Sequence, residues 1–153
     1  MQTKPNNKEI LKQRVKQAKL IYFPNSISFN ISEIIGHYGI AVETDTNDIW
    51  VIHNTQNGTR IDQNEILDRD LVRESDWYEI PRISTVEDFY LDCGGKKRFG
   101  LFGAGYCWNS TERMLKNRFR REDAKKLTKQ WTPWKNPAKL LCTVFALWLV
   151  IFW

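Results

Sequence analysis

The sequence predicts an α+β domain: a small antiparallel β-sheet packed against helices, with a C-terminal hydrophobic helix after it. Three observations carry this. Residues 37–53 form a hairpin pattern, with apolar HYGIAVE and IWVIH separated by the turn-forming run TDTND. From Trp108 to about Lys129, Met114, Leu115 and Phe119 point inward and basic residues outward, as in a surface helix. Residues 140–153 then read LLCTVFALWLVIFW, fourteen positions without a charge.

At 153 residues the chain suits one domain with one core, and 42% hydrophobic and 13% aromatic residues exclude global disorder. The three cysteines lack disulfide-scaffold spacing, which points to a reducing compartment. Met1–Arg14 is polar and Lys-rich without an apolar stretch, so no signal peptide is expected. The Asn-x-Ser/Thr matches at Asn30, Asn57 and Asn109 are then silent.

Taken in order, Lys8 to Leu20 suggests a short helix with Ile10, Leu11, Val15 and Ala18 on one side, within a polar extension over 1–18. Leu20–Phe23 reads as a strand stopped by Pro24-Asn25-Ser26, and 26–35 as a connection. His37–Glu43 and Ile49–His53 are the hairpin strands about the 44–48 turn. Residues 54–64 are turn-rich, with Asn57-Gly58 the clearest turn signal, and Ile66, Leu67, Leu71 and Val72 suggest a short exposed element. Trp77–Ile80 is a strand ended by Pro81. Ser84-Thr85-Val86-Glu87 has capping-box spacing and opens a helix reaching about Leu91, before Cys93-Gly94-Gly95 breaks it. A Gly-punctuated approach over 99–106 leads to Cys107 and the long helix, which Pro133 and Pro137 end.

The net charge of +5 is unevenly placed. Glu112–Lys139 holds ten Lys or Arg and three acids, so it carries +7 and the remainder −2. Eleven large apolar side chains follow in 140–153; at ~1.5 kcal/mol each, leaving them in water would cost on the order of 15 kcal/mol. As a helix that run is about 21 Å long, short of a ~30 Å hydrocarbon core. It is nevertheless apolar all round, and Trp131, Trp134, Lys135 and Lys139 precede it as interfacial residues, with Trp148 inside it. The expectation is a tail anchor or monotopic insertion over 140–153, joined by a basic, aromatic linker over 130–139 to a domain on the cytoplasmic side. The basic stretch then faces anionic lipid, not nucleic acid. Partners are a phospholipid substrate and the membrane surface, for a protein read as a monomer.

The candidate chemistry rests on His37, His53 and Cys107. The chain has two histidines; one opens a hairpin strand and the other closes its partner, so antiparallel pairing brings them to one end of the sheet. Cys107 lies at the start of the long helix, where the helix dipole and an adjacent imidazolium would lower its pKa and make it nucleophilic. Cys93 lies in a Gly loop. Cys142 lies in the tail, where palmitoylation is the functional reading.

These residues resemble the lecithin:retinol acyltransferase superfamily, nearest to its small phospholipase A/acyltransferase proteins. The carriers are His37 opening H-Y-G-I-A-V, His53 closing W-V-I-H, Phe99-Gly100-Leu101-Phe102 leading to Cys107, and a hydrophobic end after a basic stretch. The resemblance spans about 19–115, within a catalytic domain taken as 19–129. It implies a permuted papain-like fold and a thiol acyltransferase or phospholipase A. In it His37 matches the general base, His53 the third polar residue and Cys107 the acyl-accepting nucleophile.

The cysteine box departs from the family's Asn-Cys-Glu-His-Phe: Tyr106, Trp108, Asn109 and Ser110 stand at the flanking positions. Two alternatives therefore stand beside the lipid reading, a papain-like amidase or deconjugating peptidase and an inactive membrane-anchored adaptor. No cofactor is implied, and no Cys-x-x-Cys or His-x-x-x-His spacing supports a metal.

Overall fold

The central strand of the molecule is its first. In the computed structural model, which describes residues 7–23, 37–55, 58–63, 73–96, 106–132 and 147–152, β1 spans Arg14–Phe23. It is preceded by a short helix, α1 (Asn7–Lys12). The helix predicted over Lys8–Leu20 is thus corrected: its first turn is helical, and the rest is sheet. Alternation decides this, since Val15, Ala18, Leu20 and Tyr22 are all buried in one apolar cluster across the strand. The bulge between Val15 and Gln17 brings the earlier residues into phase.

β2 (His37–Thr44) pairs antiparallel with β1, and β3 (Ile49–Thr55) with β2. The connecting turn is closed by the Thr44 amide donating to the Asp48 carbonyl at 2.9 Å, with Asn47 at φ 63° supplying the left-handed residue. Beyond β3 lies β4 (Gly58–Gln63), where the sequence suggested turns. It is a polar edge strand, held by its ladder to β3 and by Ile61 against the core. On the other side of β1 are β5 (Arg73–Glu74) and β6 (Tyr78–Thr85), giving the order β4-β3-β2-β1-β5 with β6 also on β1.

β6 does not stop at Pro81 as predicted. It pairs with β1 at Tyr78 and Glu79 and again at Ser84 and Thr85, and the intervening Pro81, Arg82 and Ile83 bulge outward and are exposed. An unpaired bulge tolerates a proline that a ladder would not. The capping box sits one residue later than predicted. Thr85 is the N-cap of α2 (Val86–Cys93), accepting from the Asp88 amide while the Asp88 carboxylate accepts from the Thr85 amide at 2.9 Å.

The single helix predicted over 108–129 is two, α3 (Tyr106–Arg118) and α4 (Arg121–Trp131). The break comes where Phe119 is buried against Tyr78, at 6.2 Å between ring centroids. The helices cover one sheet face: Leu20, Ile40, Val42 and Ile52 meet Val86, Phe89, Met114, Leu115 and Leu127 in the main core. Burying each such side chain contributes roughly 1.5–3 kcal/mol. The opposite face carries a smaller cluster of Ile21, Ala41 and Val51 with Ile49 and Trp77.

Residues 147–152 are helical, and their apolar side chains, among them Val150 at 75% and Ile151 at 68%, are exposed. Among the described residues no helix is long and apolar enough to cross a membrane. The readings made for 24–36, 64–72 and 97–105, and for Trp134, Lys135, Lys139 and Cys142, fall outside the described residues.

Candidate active site

β2 begins with the sequence His37-Tyr38-Gly39, and strand alternation divides its side chains between the two faces. Tyr38 turns toward the helices, buried against Trp108 of α3 with ring centroids 4.9 Å apart at 70°. His37 and Gly39 belong to the other face. Across the ladder, Gly39 is opposite His53. A Cβ on residue 39 would come within 3.0 Å of the His53 Cβ and of the Ile52 carbonyl oxygen, so the glycine makes room for the imidazole beside it.

Across that glycine the two rings meet. His37 Nε2 and His53 Nδ1 are 2.7 Å apart, with the ring planes at 77°. His53 Nε2 lies 2.7 Å from Asp62 Oδ2, and the other carboxylate oxygen accepts from Arg60 at 3.1 Å. Asp62 reaches this position because β4 pairs with β3: Arg60 is opposite His53, and Asp62, two residues on, shares its face.

The network assigns the tautomers. The Asp62 carboxyl is held below its ordinary pKa, chiefly by the hydrogen bond from His53, so it is an acceptor. His53 Nε2 then carries a proton, and its Nδ1 accepts from His37 Nε2–H. The basic nitrogen of His37 is consequently Nδ1. Burial and the neighbouring His53 pull the His37 pKa from 6.5 to about 3, so the ring rests neutral.

Cys107 is the second residue of α3 and is buried, 5% exposed, in the main core. The backbone amides of Tyr38, Trp108 and Cys107 itself lie close to its sulfur and favour the thiolate. The first of these belongs to the peptide unit joining His37 to Tyr38, so the thiol is placed at the head of the histidine strand. The expected low thiol pKa is not found. Burial pushes it up, and the three amides bring it only part of the way back. The group therefore rests as a thiol and needs a base to become a nucleophile.

Asn54 ties the two halves of the site together. Buried beside His53 in sequence, it donates through Nδ2 to the Cys93 carbonyl at 3.1 Å and to Ser110 Oγ at 3.0 Å. That links β3 to both α2 and α3. Ser110, one of the departures from the family box, is thus the buried acceptor that seats the cysteine helix on the histidine strand.

Of the predicted site residues, His37 and His53 are brought into contact, and Cys107 is set against the same strand. Trp131, expected at a membrane interface, is half-buried against the core with the Arg73 guanidinium 5.4 Å from its ring. Trp148 is exposed and stacks near Phe152. Asp62 was missed, because 54–64 looked like turns; the Asn57-Gly58 hairpin signal directly after a strand was the cue. Cys93 is fully buried, and burial pushes its thiol up to about 12. Among the described residues no group of three or more His, Cys, Asp or Glu is arranged to hold a metal ion. His37 Nε2 and both nitrogens of His53 are taken up by each other and by Asp62. The chain matches no protein-family profile, no curated protein and no solved structure.

Proposed function

We propose that the protein is a membrane-associated thiol acyltransferase or phospholipase A, acting on phospholipid esters through a Cys107 thioester with His37 as base. The observation that carries this reading is the Asp62–His53–His37 line, with both contacts at 2.7 Å. It leaves His37 Nδ1 as the basic atom, on the residue whose carbonyl-side peptide unit lies close to the Cys107 sulfur. The thiol is buried and protonated at the head of the strand that His37 opens, and in this reading the neutral imidazole activates it as general base during attack.

In the proposed reaction His37 Nδ1 takes the thiol proton as sulfur attacks the ester carbonyl. The amides close to the sulfur are the donors that, in this reading, receive negative charge on the carbonyl oxygen. The C–O bond breaks, the imidazolium returns its proton to the leaving lysophospholipid, and the acyl group stays on sulfur. Water, or an amine, deprotonated by His37 then attacks the thioester and restores the thiol. His53 and Asp62 hold the His37 ring in the tautomer that keeps its basic nitrogen at Nδ1 in each half. The order of a strand histidine before a helix cysteine accords with a permuted papain-like topology. The exposed apolar residues 147–152 support a bilayer as the place of action, with 140–153 as the anchor on a cytoplasmic domain.

Incubation of the detergent-solubilised protein with phosphatidylcholine tests the reading. Fatty-acid release by the wild type, absent from Cys107→Ala, is the expected result. Equal release by both proteins overturns it. Cleavage of an amide but not an ester by the wild type would transfer the same residues to an amidase.

A further inference from the structure

A groove of about 930 Å³ opens between α4, the C-terminal end of α3 and the bulge of β6. It begins at Glu112, about 7.5 Å along α3 from Cys107 at ~1.5 Å per residue, and shares no residue with the histidine site. Its walls carry six cations: Arg82, Lys116, Arg120, Arg121, Lys125 and Lys129. Its floor is apolar, formed by Phe119 and Ala124, each 5% exposed. Lys116 pairs with Glu112 at 3.0 Å, and Arg120 with the exposed Glu79 at 3.7 Å. Among the described residues, Arg82, Arg121, Lys125 and Lys129 have no carboxylate within ion-pair distance.

Helix stability accounts for Lys129, in the last turn of α4, but not for the cations at its start. Arg120 is the N-cap of α4 and makes no side-chain cap, and Arg121 follows it. Cations there oppose the positive end of the helix dipole. Next to Arg82 on the bulge, Ile83 is 77% exposed. A solvated charged face has no use for an exposed aliphatic tip, and duplex phosphates offer it no apolar partner. A lipid interface answers both charge and tip.

We infer that this groove is a docking surface for the phosphate headgroups of an anionic bilayer, with Ile83 entering the interface. It rests on the proposed action at a lipid surface, and adds to the apolar C-terminal residues a second contact that reads headgroup charge. The full chain is sedimented with vesicles of phosphatidylcholine alone and of phosphatidylcholine with phosphatidylserine. The wild type prefers the anionic vesicles, and added salt weakens the preference. Arg121→Gln/Lys125→Gln/Lys129→Gln loses that preference on the order of 100-fold, at about fivefold per cation, while keeping its binding to neutral vesicles. Arg82→Glu, on a different element, guards against a folding defect in α4 and has the same direction of effect. An unchanged preference in both variants overturns the inference. So does tighter binding to an RNA duplex than to anionic vesicles, or displacement from them by millimolar inorganic phosphate. Hydrolysis of a water-soluble short-chain ester reports on Cys107 independently, so failure of the groove and failure of the thiol chemistry are read separately.

Discussion

His37 Nε2 and His53 Nδ1 lie 2.7 Å apart although they are not register partners; His53 is opposite Gly39, and His37 reaches it diagonally along the same sheet face. The contact makes one imidazole the orienting group of the other. It also extends the line to Asp62, whose carboxylate decides which nitrogen of each ring carries a proton.

If the proposed reaction holds, Asp62→Asn lowers kcat on phosphatidylcholine by about 10- to 100-fold, since an amide does not hold His53 in the required tautomer. Arg60→Ala, which removes only the exposed partner of the same carboxylate, changes kcat by less than about threefold. Steady-state kinetics on the two variants check the contrast.

Gly39→Ala places a methyl within 3.0 Å of the His53 Cβ and of a backbone carbonyl. Neither neighbour is the end of a flexible chain, so the strands must separate locally. The variant is less stable by about 1–3 kcal/mol in urea unfolding and loses activity out of proportion to that change.

Asn54→Ala leaves the Cys93 carbonyl and Ser110 Oγ without their shared donor in a buried place. Unfolding free energy falls by about 1–3 kcal/mol. Activity falls too, because α3 is no longer pinned to the strand that bears His53.

Stability follows pH from both sides. His37 is depressed in the folded state from 6.5 to about 3, so below pH 6.5 the unfolded chain binds a proton that the folded one refuses. Stability is full above that value and is lost as pH falls through the window from 6.5 to about 3. Asp62, also depressed, acts in the same direction at the acid end. On the alkaline side the buried thiols of Cys107 and Cys93 and the Tyr38 phenol are all raised. Stability therefore declines again as pH rises beyond the ordinary thiol value of 9.0. Urea midpoints measured across pH give a plateau between these limits. In His37→Phe the acid limb is shallower.

The hairpin was legible because its signals are local: apolar strands flank a run of Asp, Asn and Thr, and the geometry of such a turn puts His37 and His53 at one end. β1 was not, since Arg14–Lys19 is short enough for its apolar residues to fit a helix as well as a strand. Only the partners Glu43 and Glu74, which meet Lys16 and Lys19, and the ladder to β2 select the strand. β4 was hidden by its polarity, and with it Asp62. The break at Phe119–Arg120 contains no glycine or proline and follows from burial of Phe119 in the core. The raised thiol of Cys107 was also out of reach, because helix position is visible in the sequence and depth of burial is not.

The proposed reaction places a covalent acyl group on Cys107, with His37 as base. Intact-protein mass spectrometry after brief exposure to phosphatidylcholine measures it directly. The expected result is a hydroxylamine-labile gain of one fatty acyl group, mapped to the Cys107 peptide, absent from Cys107→Ala and strongly reduced in His37→Ala. No adduct on Cys107 while the protein releases fatty acid, or an undiminished adduct in His37→Ala, would contradict it.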